Sequence, residues 1–220
     1  MTKLKTDIIA EAERWVAELL QNDSTGHDMS HIDRVRRAAR RIAQEEGADL
    51  FLVDMMALFH ELPDEKLNLF ESPEQAYRKM REWLEARELA EGVIQEIEAV
   101  VSRQSYAHSG VNRERLDSLA GKIVQDADRL EALGAIGAAR CFAYGGKKGR
   151  PLYDAAIPFR NNVTEDNYRN SPSSLHHFTE KLFRIKEKMN TATGKRLAEA
   201  RHEFTKQFFD QFLAEWKGEG

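Results

Sequence analysis

The chain has a single cysteine, Cys141, so it can close no internal disulfide, and only five prolines, at positions 63, 73, 151, 158 and 172. No run approaches the ~20 consecutive apolar residues needed to cross a bilayer, which excludes a membrane partner of the spanning kind. There is no excess of positive charge either: 33 Lys and Arg face 37 Asp and Glu, for a formal net charge of −4. Without a global basic field a nucleic-acid backbone is a disfavoured partner, and a small anionic substrate needs local cations or a metal. The N-terminal text Met-Thr-Lys-Leu-Lys-Thr-Asp lacks the apolar region of a signal peptide, so a cytoplasmic location is expected. Cys141 sits in the apolar run 138–142 and reads as a small core residue.

With 220 residues, 41% hydrophobic and 32% charged, the chain is long enough to bury a core without staples. Helical periodicity fills the stretches between the prolines. Ile8, Ala12, Trp15, Val16 and Leu19 share a face in 4–20, and Met29, Ile32, Val35, Ala39, Ile42 and Ala43 share one in 29–46. Residues 50–60 are apolar nearly all round, which reads as a short central helix. Further helices are expected at 73–86, 88–101, 117–142 (with Asp117 and Ser118 as cap candidates), 174–190 and 194–216. No strand alternation is visible. The fold class expected is all-α: a single-domain helical bundle over 1–220, with a core about 26–142 on which the C-terminal helices 174–216 pack. Residues 103–116 and 143–173 are irregular; a connection of some 30 residues is often functional.

Three polar signals interrupt this apolar pattern. In Gly26-His27-Asp28-Met29-Ser30-His31, the histidines at 27 and 31 share a face if the helix holds both, or the same text is a capped start with Asp28 or Ser30 as cap. His60-Glu61 follows eleven mostly apolar residues, so the pair is either half-buried, where charge must be compensated, or emerging into solvent. In Asp126-Ala127-Asp128 the two acids point about 200° apart on a helix of ~3.6 residues per turn, so at most one faces any given site. A histidine, a histidine with an acid and a further acid, each on its own helix, offer imidazole and carboxylate ligands suited to a divalent metal, with positions left open for water and a phosphate oxygen.

The order His31, His60-Glu61, Asp128 resembles the H…HD…D signature of the HD-domain phosphohydrolases. The likeness extends to Gly26-His27-Asp28-x-x-His31-x-x-Arg34-Val35, Ala57-Leu58-Phe59-His60, Asp64-Glu65-Lys66, Asp126-Ala127-Asp128-Arg129-Leu130 and Ala135-Ile136-Gly137-Ala138-Ala139-Arg140. It continues in Tyr144-Gly145-Gly146, Gly149-Arg150-Pro151-Leu152-Tyr153-Asp154 and His177-Phe178-x-Glu180-Lys181-Leu182. The match covers nearly the whole chain. It resembles a bacterial subgroup that includes manganese-dependent enzymes cleaving nucleoside triphosphates to monophosphate and pyrophosphate.

The resemblance implies an HD-type helical fold, a divalent metal ion (manganese foremost, with magnesium, cobalt, iron, zinc or nickel as others), and His31, His60, Glu61 and Asp128 as its ligands. It implies Asp64 as the acid/base; the residues alone leave Asp64-Glu65-Lys66 equally a solvated turn after Pro63. His27 is the other catalytic candidate. Phosphate contacts are expected among Arg34, Lys66, Arg140, Lys147, Lys148 and Arg150, and the run 144–150 combines glycine amides with positive charge, as a polyphosphate cradle or as a solvated loop. The chain departs from the signature at Glu61, where the family has aspartate. The extra methylene moves the oxygens outward by roughly a C–C bond, against a tolerance of about ±0.2 Å in metal–ligand distances. The expected activity is hydrolysis of a nucleotide, most concretely a (deoxy)nucleoside triphosphate. The alternatives are a 5′-nucleotidase, a cyclic-nucleotide phosphodiesterase, or a degenerate protein that binds a nucleotide or partner without turnover because of Glu61. A homodimer is left open.

Overall fold

A computed structural model describes residues 4–21, 28–65, 67–104, 117–160 and 171–219. Among the described residues there are α-helices and short 3₁₀ turns and no strand, so the fold is all-α as expected. The chain divides into two compact units, 1–127 and 128–220.

In the first unit, helix α1 (Lys5–Leu20) leads to α2 (Met29–Glu46), α3 (Leu50–Phe59), α4 (Pro73–Glu85), α5 (Glu91–Gln104) and the body of α6 (Leu119–Leu130). The caps are written in the sequence. Asp28 accepts the His31 amide at 3.1 Å, Asp49 takes the amide of Phe51 at 2.7 Å, and Ser72 precedes Pro73 and accepts from Gln75. Gly47 closes α2 at φ +75°, the left-handed conformation that glycine adopts without a Cβ penalty. α3 is apolar all round because it is buried all round. Every residue from Val53 to Phe59 is inaccessible, and the helix packs against α1, α2 and α5.

One acid, Asp54, is carried into that core. Its carboxylate lies 3.4 Å from Arg36 Nε and 3.1 Å from Arg40 Nη2, both on α2, so an ion pair ties α3 to α2. Burial outweighs the two arginines and raises the Asp54 pKa above its ordinary 3.8.

The second unit contains α7 (Gly134–Lys147), α8 (His176–Glu180), 3₁₀ turns at Leu182–Arg184 and Lys186–Lys188, and α9 (Ala192–Trp216), which packs on α7. Its core is aromatic: the Phe142 ring meets those of Phe178, Phe208 and Phe212. The helix expected over 117–142 is in fact two. After Leu130 the chain closes tight turns through Glu131, Ala132 and Leu133, then passes through Gly134 at φ +74°. Side chains of α9 stabilise this break. Arg201 donates to the Leu130 carbonyl at 2.6 Å, and Thr205 Oγ1 accepts the Gly134 amide at 2.8 Å. Apolar spacing does not encode those partners. The single helix expected at 174–190 is likewise α8 plus 3₁₀ turns, in which Leu182, Ile185 and Met189 are buried beside α9.

α7 also runs further than expected, so 143–147 belongs to a helix and not to a loop. The amides of Lys148, Gly149 and Arg150 all donate to carbonyls at 144–146, which corrects the reading of 144–150 as an amide cradle for polyphosphate. Gly145 is required by close approach: a Cβ there would stand 1.9 Å from Ser174 Oγ.

Two stability measurements check these packing arguments. Gly145→Ala is expected to destabilise by about 1–3 kcal/mol through overpacking, and Ser174→Ala in the same chain to recover part of the loss in a urea melt. Asp54→Ala is expected to cost about 1–3 kcal/mol by removing the buried partner of Arg36 Nε, whose Nη1 keeps Glu13 at 2.9 Å, and Asp54→Asn about 1 kcal/mol. With a raised folded pKa, the Asp54 contribution is fully present below 3.8 and is lost as pH rises through the folded value. The Asn variant should therefore lack that fall in stability just above the ordinary carboxylate range.

Candidate metal centre

His31 lies in the first turn of α2, where the Asp28 cap holds the helix start, and its side chain is 1% exposed. His60 is the C-cap residue of α3 and Glu61 follows in the turn, where the Leu62 amide bonds to Phe59 and the Asp64 amide to the Glu61 carbonyl at 3.0 Å. Asp128 is half-buried in the last turn of α6. The division between units falls one residue before it, inside this continuous helix.

These side chains converge. Glu61 Oε1 stands 3.2 Å from His31 Nε2 and 3.4 Å from His60 Nε2, and the two rings are 5.5 Å apart. One ligand atom from each of His31, His60, Glu61 and Asp128 lies within 4.8 Å of all the others. Donors held at 2.0–2.2 Å from a common ion are separated by about 3.0–3.5 Å when adjacent and about 4.3 Å when opposite, so the set fits one cation with a small contraction. The His60 ring is oriented for this. Its Nδ1 lies 2.7 Å from the Ala57 carbonyl, which only accepts, so Nδ1 carries the proton and Nε2 presents its lone pair towards Glu61. Glu61 and both histidines are buried, a placement that a carboxylate tolerates only beside compensating charge.

Asp126 is fully buried while Asp128 joins the cluster, the divergence that two acids two residues apart must show on a helix. Asp64 is half-buried and lines a cavity of about 410 Å³ with Leu62, Pro63, Asn68, Phe70 and Pro73. Arg34 lies one helical turn after His31 on α2, on the same side. In the second unit Arg140 is 3.9 Å from Glu131, Lys147 and Lys148 are exposed at the end of α7, and Arg150 lies 5.7 Å from the Tyr144 ring. His27 and Lys66 lie outside the described residues. Sequence reasoning passed over two supports of the centre: the Ala57 carbonyl, three residues before His60, and Asp54, whose signal was a lone acid inside an apolar helix. Among the described residues no helix is long and apolar enough to cross a membrane.

Comparison with known proteins agrees with the geometry. The HD domain model matches residues 29–133, the stretch that carries all four clustered residues. The chain is 38% identical to YpgQ of Bacillus subtilis over 199 residues, covering 90% of this chain and 88% of YpgQ. The crystal structure of an HD-superfamily hydrolase from Bacillus thuringiensis superposes with a TM-score of 0.79 at 38% identity, over 97% of this chain and 99% of that one. The structure of Bacillus subtilis YpgQ in complex with ADP superposes with a TM-score of 0.75 at 34% identity, over 98% and 96% of the two chains. Two histidines and two acids drawn together from three helices, on a chain so closely matched along its length, make this protein a member of the HD superfamily of hydrolases.

Proposed function

We propose that the protein is a metal-dependent phosphohydrolase acting on a nucleotide, most concretely on a (deoxy)nucleoside triphosphate that it converts to monophosphate and pyrophosphate. The observation that carries this reading is the four-residue cluster of His31, His60, Glu61 and Asp128. The ADP complex of YpgQ supports the choice of a nucleotide. In this reading the four residues hold a divalent cation, manganese foremost. Bound there, such an ion supplies a Lewis acid and neutralises charge on the phosphoryl group.

The chain's own residues do the rest. His31 and His60 present ring nitrogens to the ion, the latter ring oriented by the Ala57 carbonyl. Glu61 reaches both imidazoles through one oxygen, so the glutamate keeps its carboxylate in the centre despite the longer side chain. Asp64, fixed to the Glu61 carbonyl through its amide, is the proposed acid/base that takes a proton from the attacking water. Arg34 is the proposed contact for a phosphoryl oxygen.

Two measurements test the reading. Manganese at about 100 times its dissociation constant should stabilise the wild-type fold by about 2.7 kcal/mol, an increment that EDTA reverses and His31→Ala or His60→Ala abolishes. An unchanged melting temperature on adding manganese, cobalt or zinc would remove the metal centre from consideration. With manganese and deoxynucleoside triphosphates, pyrophosphate should be released, with loss of at least about 100-fold in rate for His31→Ala and Asp128→Ala. Release of inorganic phosphate, or cleavage of cyclic nucleotides alone, would point instead to the nucleotidase or phosphodiesterase reading. Glu61→Asp separates the degenerate alternative: activity that appears only in the aspartate variant would show the wild-type chain to be a binder without turnover.

A further inference from the structure

Asp128 lies in the last turn of α6, two residues before the helix ends at Leu130. The final carbonyls of a helix have no partner within it, and last turns fray. The C-terminal end of the helix dipole is also negative, which disfavours a carboxylate there. Metal–ligand distances tolerate only about ±0.2 Å, so a ligand mounted at such a place needs its turn held from outside the helix. The two residues after Asp128 are held in that way. The Arg129 guanidinium donates to the Lys188 carbonyl in the 3₁₀ turn Lys186–Lys188. The Leu130 carbonyl accepts from Arg201 Nη1 of α9 at 2.6 Å, across 71 residues of sequence. The chain leaving α6 also folds back on the same carbonyls: the Glu131 amide bonds to Asp128 at 3.0 Å, and the amides of Ala132 and Leu133 bond to Arg129 and Leu130 at 3.1 Å.

Arg201 is itself fixed. Its backbone carbonyl accepts from the Thr205 hydroxyl at 2.8 Å, and the same Thr205 oxygen accepts the Gly134 amide at 2.8 Å. Its aliphatic stem crosses the break between α6 and α7, where a Cβ added at Gly134 would stand 3.4 Å from Arg201 Cγ. A stem packed on backbone has already lost much of the rotamer freedom that a long side chain gives up on making a bond. A cation is the suitable donor at this point. It bonds a terminal carbonyl with charge assistance, and it offsets the negative helix end on which the Asp128 carboxylate sits. A neutral donor would do only the first.

We propose that Arg201 is a positioning residue of the metal centre: by bonding the Leu130 carbonyl it holds the last turn of α6, and so keeps the Asp128 carboxylate together with His31, His60 and Glu61. The inference rests on the metal-centre reading, and Arg201 acts through Asp128 and not on the ion. The test is manganese binding to the full-length protein without substrate, followed by the electron paramagnetic resonance signal of the free ion. Arg201→Met keeps the stem over Gly134 and removes the charged donor. It is expected to raise the manganese Kd by at least about tenfold, the scale on which partners of metal ligands act. Arg201→Lys restores a charged donor and should recover most of that loss. Phe212→Leu loosens the packing of the Phe142 and Trp216 rings near the far end of α9. It should lower the melting temperature and leave manganese affinity unchanged. In EDTA, the amides of Glu131, Ala132 and Leu133 should exchange with deuterium at least about tenfold faster in Arg201→Met than in wild type, which reads the tether without the metal. The proposal is overturned if Arg201→Met binds manganese as tightly as wild type, if Phe212→Leu weakens binding as much as Arg201→Met does, or if those amides exchange no faster. A wild-type chain that binds no manganese removes the metal centre and this inference together, whereas wild-type binding that Arg201→Met leaves intact removes this inference alone.

Discussion

The structure turns on a buried carboxylate held between two imidazoles. Glu61 sits where the most apolar helix of the chain ends, and its oxygen is within 3.5 Å of a nitrogen from each of two histidines. Removing a carboxylate from water is costly unless charge or hydrogen bonds replace the solvent. Much of the first unit serves to bring that carboxylate and the two imidazoles to one point. α3 is buried on every side, so its C-terminal end emerges inside the protein. α2 lies against it and brings His31 to the same point, and the Asp54 ion pair with Arg36 and Arg40 fixes how the two helices sit along one another. α6 then adds Asp128. A cation at that point would relieve the crowding of two acids.

The substitution of glutamate for the family's aspartate takes a definite form here. A longer side chain could have swung clear of the histidines. Instead its oxygen lies at the separation expected of adjacent ligands on one ion. The departure from the signature is thus one of reach and not of donor set.

Much of the first unit was legible because its signals are local. Caps at Asp28, Asp49 and Ser72, the left-handed Gly47 and the all-round apolar character of α3 each act within a turn or two of the chain. The second unit was less so. The break at Gly134 depends on Arg201 and Thr205, some seventy residues away in sequence. Gly145 and Gly146 suggested a phosphate loop, but the first is small because Ser174 presses on it and both lie within a helix. The aromatic rings of Phe142 and Tyr153 make contacts with Phe178, Phe208 and Phe212 and with Phe159, His176 and Trp216, respectively.

The amino-acid sequence by itself determined the all-helical class, the ends of most helices and the residue types able to hold a metal, because periodicity, capping and ligand chemistry are properties of short segments. Only the tertiary structure decided that those residues meet, and that Asp128 and not Asp126 joins the cluster. Distances between helices follow from how side chains far apart in sequence fill the same core, and no local pattern records that.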